Sequence, residues 1–192
     1  MIAPHLEEED AQLMTALASG NDPALNAIMR RWSPRLSAYL HRCCPDPATA
    51  ADLLQETFVR VYQRRHSYDP ARSFSTWIYT IATNLVRNHV RWQKRHPVTL
   101  LDHAALSLSA PPVEERDPAE NLECQERAAA VRSAIQHLPE DLRDPLVLST
   151  YEHLPHAQIA TILGLSEKAV EMRLYRARQT LRDELRQWLP AT

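Results

Sequence analysis

The sequence predicts an all-α protein: two small helical domains joined by a flexible linker, the C-terminal one a helix-turn-helix. Three observations carry this. Fourteen prolines stand against two glycines in 192 residues, and many of the prolines open segments whose apolar residues recur at helical spacing. Residues 97–118 lose that periodicity, are punctuated by Pro97, Pro111, Pro112 and Pro118, and turn acidic at Glu114, Glu115 and Asp117, which reads as a linker with room for a turn around Leu100–Leu108. Charge is also segregated: within a formal net charge of −2, residues 51–96 hold 3 acids and 8 cations, and residues 97–127 hold 7 and 2. The expected division is therefore 1–96, 97–118 and 119–192.

Taken in order, Leu6–Ser19 reads as a short helix with acids in its first turn and Gly20 to end it. The carboxylates of Glu7–Asp10 are read as helix-terminus and solvating charges. Pro23 restarts a helix that carries Leu25, Ile28, Met29, Trp32, Leu36 and Leu40, with Ser33-Pro34 expected to kink or split it. Asp46-Pro47 starts the next, which runs to about Arg65 on a stripe of Leu54, Phe58 and Val61 and leaves Asp52, Gln55 and Glu56 polar near its first half. His66–Arg72 is a loop around the Asp69-Pro70 turn.

Ser73–Arg95 is the most informative stretch. At about 100° per residue, Phe74, Ile78, Ile81, Leu85 and Trp92 share a stripe that is expected to be core. The opposite side collects Thr76, Thr80, Thr83, Asn84, Arg87, Arg91 and Lys94, with Trp77 and Tyr79 at its two edges and no acid anywhere in the stretch. Short polar groups and rings beside phosphate-seeking cations suit a nucleic acid strand with exposed bases. A plain amphipathic helix with a solvated basic side has the same pattern, and only a second nucleic-acid signal tips the balance.

That signal lies further on. Pro118 opens a helix through Leu122, Ala128, Val131, Ile135 and Leu138, and another begins near Glu140 with Leu142, Leu146, Val147 and Tyr151. His156–Leu163 is then a short helix, Gly164 supplies a turn, and Ser166 caps a longer helix with Val170, Leu174, Ala177 and Leu181 inward. Lys168, Met172, Arg176 and Gln179 face outward, flanked by Ala169 and Arg173. An alanine (Ala160) where two helices touch, a glycine turn and a charged outer face are the arithmetic of a helix-turn-helix that enters a major groove.

Other chemistry is weakly supported. No P-loop, dinucleotide glycine pattern, nucleophile elbow or HExxH occurs. His41 with Cys43 and Cys44, and His153 with His156, are the candidate metal clusters, but neither supplies four ligands, so no metal and no cofactor is expected. Three cysteines without a paired spacing, no signal segment and no apolar run of membrane-spanning length point to a cytoplasmic protein that does not insert into a membrane.

Three motifs, DLLQETFVRVY (Asp52–Tyr62), FSTWIYTIATNLVRNHVR (Phe74–Arg91) and LPEDLRDPLVLSTYEHLPHAQIATILGLSEKAVEMRLYRARQTLR (Leu138–Arg182), resemble in order and spacing the extracytoplasmic-function sigma factors of bacterial RNA polymerase. The resemblance covers most of residues 20–186. It implies a transcription initiation factor rather than an enzyme, one that binds core polymerase, recognises a promoter, helps melt it and is controlled by an anti-sigma factor. It implies that Asp52, Gln55 and Glu56 dock on the polymerase clamp helices. It further implies that the His66–Ser73 loop, with Tyr68, Arg72 and Ser73, takes up a base flipped from the −10 element. Trp77, Tyr79, Asn84, Arg87, Asn88 and Arg91 would hold the opened strand, and Ser166, Lys168, Ala169, Met172, Arg173, Arg176 and Arg178 would read the duplex −35 element. The linker would thread toward the polymerase RNA channel.

The chain departs from the family pattern at Ala169-Val170-Glu171-Met172-Arg173, where relatives often have Thr-Val-Lys-Ser-Arg, and at His89, where many have an acid. Glu171 is expected to pair along its own helix with Arg178 or Arg182. A helix-turn-helix regulator that binds duplex DNA by itself, and a DNA-cutting or recombining enzyme that uses the same helix-turn-helix, are the rival readings. Run-off transcription with core polymerase separates them.

Overall fold

A computed structural model of the chain describes residues 4–96 and 118–188. Helices α1 (Pro4–Ala18), α2 (Pro23–Cys43), α3 (Pro47–Gln63) and α4 (Phe74–Arg95) form the N-terminal part, and α5 (Pro118–His137), α6 (Glu140–Thr150), α7 (His156–Leu163) and α8 (Glu167–Glu184) the C-terminal part. Among the described residues no strand occurs, and no helix is long and apolar enough to cross a membrane. Residues 97–117 of the linker expected over 97–118 lie outside the described residues, and Pro118 is the first residue of α5.

Local chemistry sets the helix starts. Asp46 accepts from the backbone N–H of Thr49 at 2.9 Å at the head of α3, Ser73 accepts from Thr76 at 3.3 Å at the head of α4, and Ser166 accepts from Ala169 at 3.2 Å at the head of α8. Gly164 ends α7 at φ 66°, a left-handed position that a side chain would strain. Pro34 does not split α2, which runs unbroken. Trp32 and Leu36 on either side of it are both buried, and their packing offsets the lost backbone bond.

In the N-terminal part α2 packs on α1 and α3, and α3 on α4. Its centre is aromatic: Trp32 meets Phe74 at 5.4 Å and Tyr79 at 6.0 Å, and Tyr39 meets Tyr79 at 5.3 Å, all edge to face, each pair contributing about 0.5–1.5 kcal/mol beyond its buried area. In the C-terminal part α6 and α7 pack on α8. The two parts share a continuous core, because α4 lies against α7 and α2 against α6.

Glu8 and Glu9 are exposed, as expected of solvating charges, but Glu7 and Asp10 are not. Glu7 accepts from the backbone N–H of Phe74 at 2.7 Å and from Ser73 Oγ at 3.1 Å, so it occupies the positive end of α4. Asp10 is buried, accepts from Trp32 Nε1 at 3.0 Å, and pairs with Arg31 at 2.8 Å. Glu7, Asp10, Met14 and Leu17 recur at helical spacing, so the two acids stand on the apolar stripe itself, and this was the signal to read. Glu7→Ala should lower stability by about 1 kcal/mol, as loss of a helix cap does, seen as a lower urea midpoint; an unchanged midpoint would show the cap to be inert.

Candidate nucleic-acid and polymerase interface

On α3, Ala50, Leu53, Thr57, Phe58 and Val61 are buried, and this leaves Asp52 and Gln55 exposed on the outside. Glu56 is half-buried and accepts from Arg60 Nε at 2.7 Å one turn on. The three polar residues thus share one accessible surface, with Arg60 added by the structure.

The loop before α4 is more closed than the sequence suggested. Tyr68 is only 8% exposed, its ring packed 5.2 Å from Trp77 and 5.6 Å from Phe74 and its hydroxyl donating to Arg72 O at 2.9 Å. Burial pushes that hydroxyl up to about 12. Tyr68 is therefore a wall behind Trp77, not an open stacking surface. Arg72 stands out in solvent beside Asp69, and Ser73 is engaged as the cap described above. A 490 Å³ cleft opens beside them, lined by Glu7, Arg72, Ser73 and Ser75 on one side and His153 and Gln158 on the other.

The face of α4 is split by the second domain. Tyr79 is 0% exposed, its ring inside the aromatic core and its hydroxyl donating to Glu152, and burial together with the Glu152 charge raises that hydroxyl's pKa strongly. It is not available to an opened strand. Thr83, expected outside, is fully buried with its hydroxyl 2.8 Å from Tyr39. Arg87 is mostly covered, with its Nε 3.1 Å from Asp144 and 3.4 Å from Glu140. What remains accessible is half-buried Trp77 together with Asn84, Asn88 and Arg91. Trp92, expected in the core, is 52% exposed with His96 stacked on it at 5.1 Å. The buried arc of α4 is rotated away from Trp92 because Tyr79 packs on Trp32 and Tyr39 of α2 and Thr83 bonds Tyr39.

On α8, Val170, Leu174 and Ala177 are buried, while Ser166, Lys168, Met172, Arg176 and Arg178 are exposed and Ala169 and Arg173 half-buried. Not anticipated from the sequence is Tyr175, 60% exposed, beside Met172 at 49%; its wheel angle next to Lys168 was the available signal. Glu171 faces His156 at 3.8 Å rather than Arg178 or Arg182. Cys43 and Cys44 are packed in the core with thiols raised by burial. The geometry is thus two separate surfaces of cations and rings, on α4 and α8, with an acidic patch on α3.

The sequence matches the Sigma-70 region 2 family model over residues 28–96 and the Sigma-70 region 4 model over residues 128–181. It is 30% identical to the RNA polymerase sigma-H factor of Pseudomonas aeruginosa over 91% of this chain and 93% of that protein. The chain belongs to the extracytoplasmic-function sigma factors of bacterial RNA polymerase. It is also 31% identical to the RNA polymerase sigma factor CarQ of Myxococcus xanthus, over 90% of this chain and 95% of that one. The structure is similar to that of CnrH in complex with the cytosolic domain of CnrY, with a TM-score of 0.69, 28% identity, and coverage of 93% of this chain and 97% of that one. As a member of this family, the chain is a transcription initiation factor that works with core RNA polymerase at promoters.

In this sigma factor the contact between the two domains carries a titratable group. Asp144 on α6 is fully buried and its carboxyl is raised to about 6, mainly by burial, against the opposing charges of Arg87 and Arg143. Glu140 beside it, and Tyr39, Cys43 and Cys44 across from it, are further titratable groups in its surroundings. A carboxyl whose folded value lies above its ordinary 3.8 binds more protons folded than unfolded. Its contribution therefore weakens as pH rises toward about 6 and stays weak above it. The urea midpoint should be higher near about pH 5.5 than near about pH 7.5, with a smaller difference in Asp144→Asn. An equal pH dependence in both proteins would remove Asp144 as the cause.

Proposed function

We propose that this sigma factor docks on core polymerase through Asp52, Gln55 and Glu56, holds the opened −10 strand on α4, and reads the duplex −35 element with α8. Residues 1–96 would be the melting domain, 97–118 the linker through the polymerase and 119–192 the −35 domain. The accessible face of α4 carries the reading: Trp77, Asn84, Asn88 and Arg91 lie along one side of a helix with no acid, next to Arg72 and Ser73. Flipping a base costs a few kcal/mol, and stacking returns about 1–3 kcal/mol per base, so one accessible ring with cations along the same face is a workable device. Tyr68 supports that ring, and Arg87 joins the face once Asp144 releases it.

On α8 the apolar tip of Met172 suits a thymine methyl and Arg176 suits guanine, each worth about 1–3 kcal/mol. Arg176→Ala should weaken −35 binding about tenfold or more, and Met172→Ser should change preference mainly at a thymine position. Band-shift titrations on a panel of −35 duplexes check this; parent-like profiles from both variants would take these residues off the reading face.

Such a factor makes no covalent change itself, acts in the cytoplasm, and is regulated by an anti-sigma protein; CnrH, solved with the cytosolic domain of CnrY, supports the last point. Run-off transcription with purified core polymerase tests the whole reading. A promoter-specific transcript that depends on this chain is expected, and duplex binding without any transcript would favour a stand-alone helix-turn-helix regulator.

A further inference from the structure

The corner where the loop enters α4 is held by a residue 66 positions away. The Asp69–Arg72 turn closes on itself. The Asp69 carboxylate accepts from Ala71 N at 3.0 Å, Asp69 O accepts from Arg72 N at 2.9 Å, and Arg72 O accepts from the Tyr68 hydroxyl at 2.9 Å. None of these hydrogen bonds reaches α4. Glu7 of α1 makes that connection: its carboxylate accepts from Phe74 N at 2.7 Å, from Ser75 N at 3.4 Å and from the Ser73 hydroxyl at 3.1 Å. Ser73 Oγ in turn lies 2.8 Å from Ser75 Oγ and accepts from Thr76 N at 3.3 Å. α4 has no acid in its own first turn, so the charge at its positive end comes from α1. Glu7 is itself firmly seated. Asp10, one turn on, bonds Trp32 Nε1 at 3.0 Å and Arg31 at 2.8 Å, and Arg31 also donates to Leu6 O at 3.4 Å.

We propose that Glu7 is a positioning residue for −10 recognition: it sets the angle at which the Arg72–Ser73 corner meets α4, and so where a strand base lies relative to Trp77. This role deepens the reading of α4 given above and rests on it. Three features carry it beyond a plain helix cap. Glu7 stands in the wall of the 490 Å³ cleft together with Arg72, Ser73 and Ser75, so the residues it fixes are the ones that face the cleft. The N–H groups it occupies are those with which a helix start would hold a phosphate, which leaves the strand's phosphates to exposed cations such as Arg72 and Arg91. A reading site also has to be held to within about 0.5 Å by groups that are themselves locked, and the Asp10–Arg31–Trp32 contacts lock α1 before any strand arrives.

The test uses holoenzyme assembled from purified core polymerase and the full chain. Single-stranded −10 oligonucleotides are selected by the parent holoenzyme from a randomised pool and then substituted base by base. The parent should prefer its selected strand over a substituted one by about tenfold or more at each position it reads. Glu7→Ala should cut that preference to about twofold, as a small misplacement of a site does, with affinity for core polymerase unchanged. Glu7→Gln, which keeps an oxygen for the Phe74 N–H, should restore most of the preference. Asp46→Ala, which removes the cap of α3, is the stability control: it should lower the urea midpoint much as Glu7→Ala does and leave base preference intact. Equal loss of preference in Glu7→Ala and Asp46→Ala would reduce Glu7 to a stabilising cap and overturn the proposal, as would a Glu7→Gln variant no better than Glu7→Ala. Trp77→Leu keeps the two levels apart. Weakened strand binding by Trp77→Leu beside parent-like preference in Glu7→Ala overturns the role of Glu7 alone, whereas parent-like behaviour of both removes the reading of α4 and the role of Glu7 with it.

Discussion

Replacing Asp52 and Glu56 together with lysine will lower the affinity of this sigma factor for core polymerase by about a hundredfold, close to 2.7 kcal/mol, and leave its helical signal unchanged. Neither side chain belongs to the buried stripe of α3, which is Ala50, Leu53, Thr57, Phe58 and Val61. Asp52 is exposed, and Glu56 gives up only its half-exposed pair with Arg60, a contact worth a few tenths of a kcal/mol in solvent. At a docked interface the same two reversals replace attraction with repulsion, and truncating one charged partner there costs about 2–5 kcal/mol. Binding of the labelled variant to purified core polymerase measures the change. An affinity equal to that of the parent, with intact circular dichroism, would move the docking surface off α3.

Trp77→Leu and Tyr79→Leu will part company, although the two residues lie two positions apart at the opposite edges expected for one face. The Trp77 ring is half-buried against Tyr68 and Phe74, so leucine keeps much of its packing and removes its exposed stacking surface. Open-complex formation should fall about ten- to a hundredfold, from the loss of about 1–3 kcal/mol of stacking. It should recover on a template whose −10 bubble is opened in advance, where the melting cost is already met. Tyr79→Leu instead opens a gap between Trp32 and Tyr39 and leaves Glu152, whose carboxyl burial already raises, without its donor. Stability should fall by about 2–4 kcal/mol, and transcription should suffer equally on both templates. Permanganate reactivity of −10 thymines and urea titrations read the two effects. If Trp77→Leu fails alike on the pre-opened template, that ring is core and α4 acts through its polar and cationic groups alone.

Much of this molecule is legible from its residues one helix at a time. Asp46 and Ser166 announce their helix starts, because a short side-chain oxygen can reach only the N–H groups just ahead of it. Gly164 announces the turn of the helix-turn-helix, and the spacing of Val170, Leu174 and Ala177 leaves Lys168, Met172 and Arg176 outside. These are local facts, set by covalent reach and helical period, and no second element is needed to decide them. The α8 surface was accordingly read almost whole.

Helix α4 is different. Its wheel shows the directions of Tyr79, Thr83, Arg87 and Trp92 but carries no information on what stands in each direction. A strip of short polar groups and a cation reads as a solvent face until α6 and α7 are laid beside it. Then Asp144 claims Arg87, Glu152 claims Tyr79, and the buried arc of the helix widens on one flank while Trp92 is left outside. The acids of α1 follow the same rule. Glu7 and Asp10 look like solvating charges because the N–H groups and the indole they serve lie far along the chain. The sequence by itself therefore determined the helices, the helix-turn-helix and the two cationic surfaces. Only the tertiary structure decided which of those side chains are free, because a charge or ring is satisfied by whichever neighbour folding brings within about 3 Å, and sequence distance sets no limit on that neighbour.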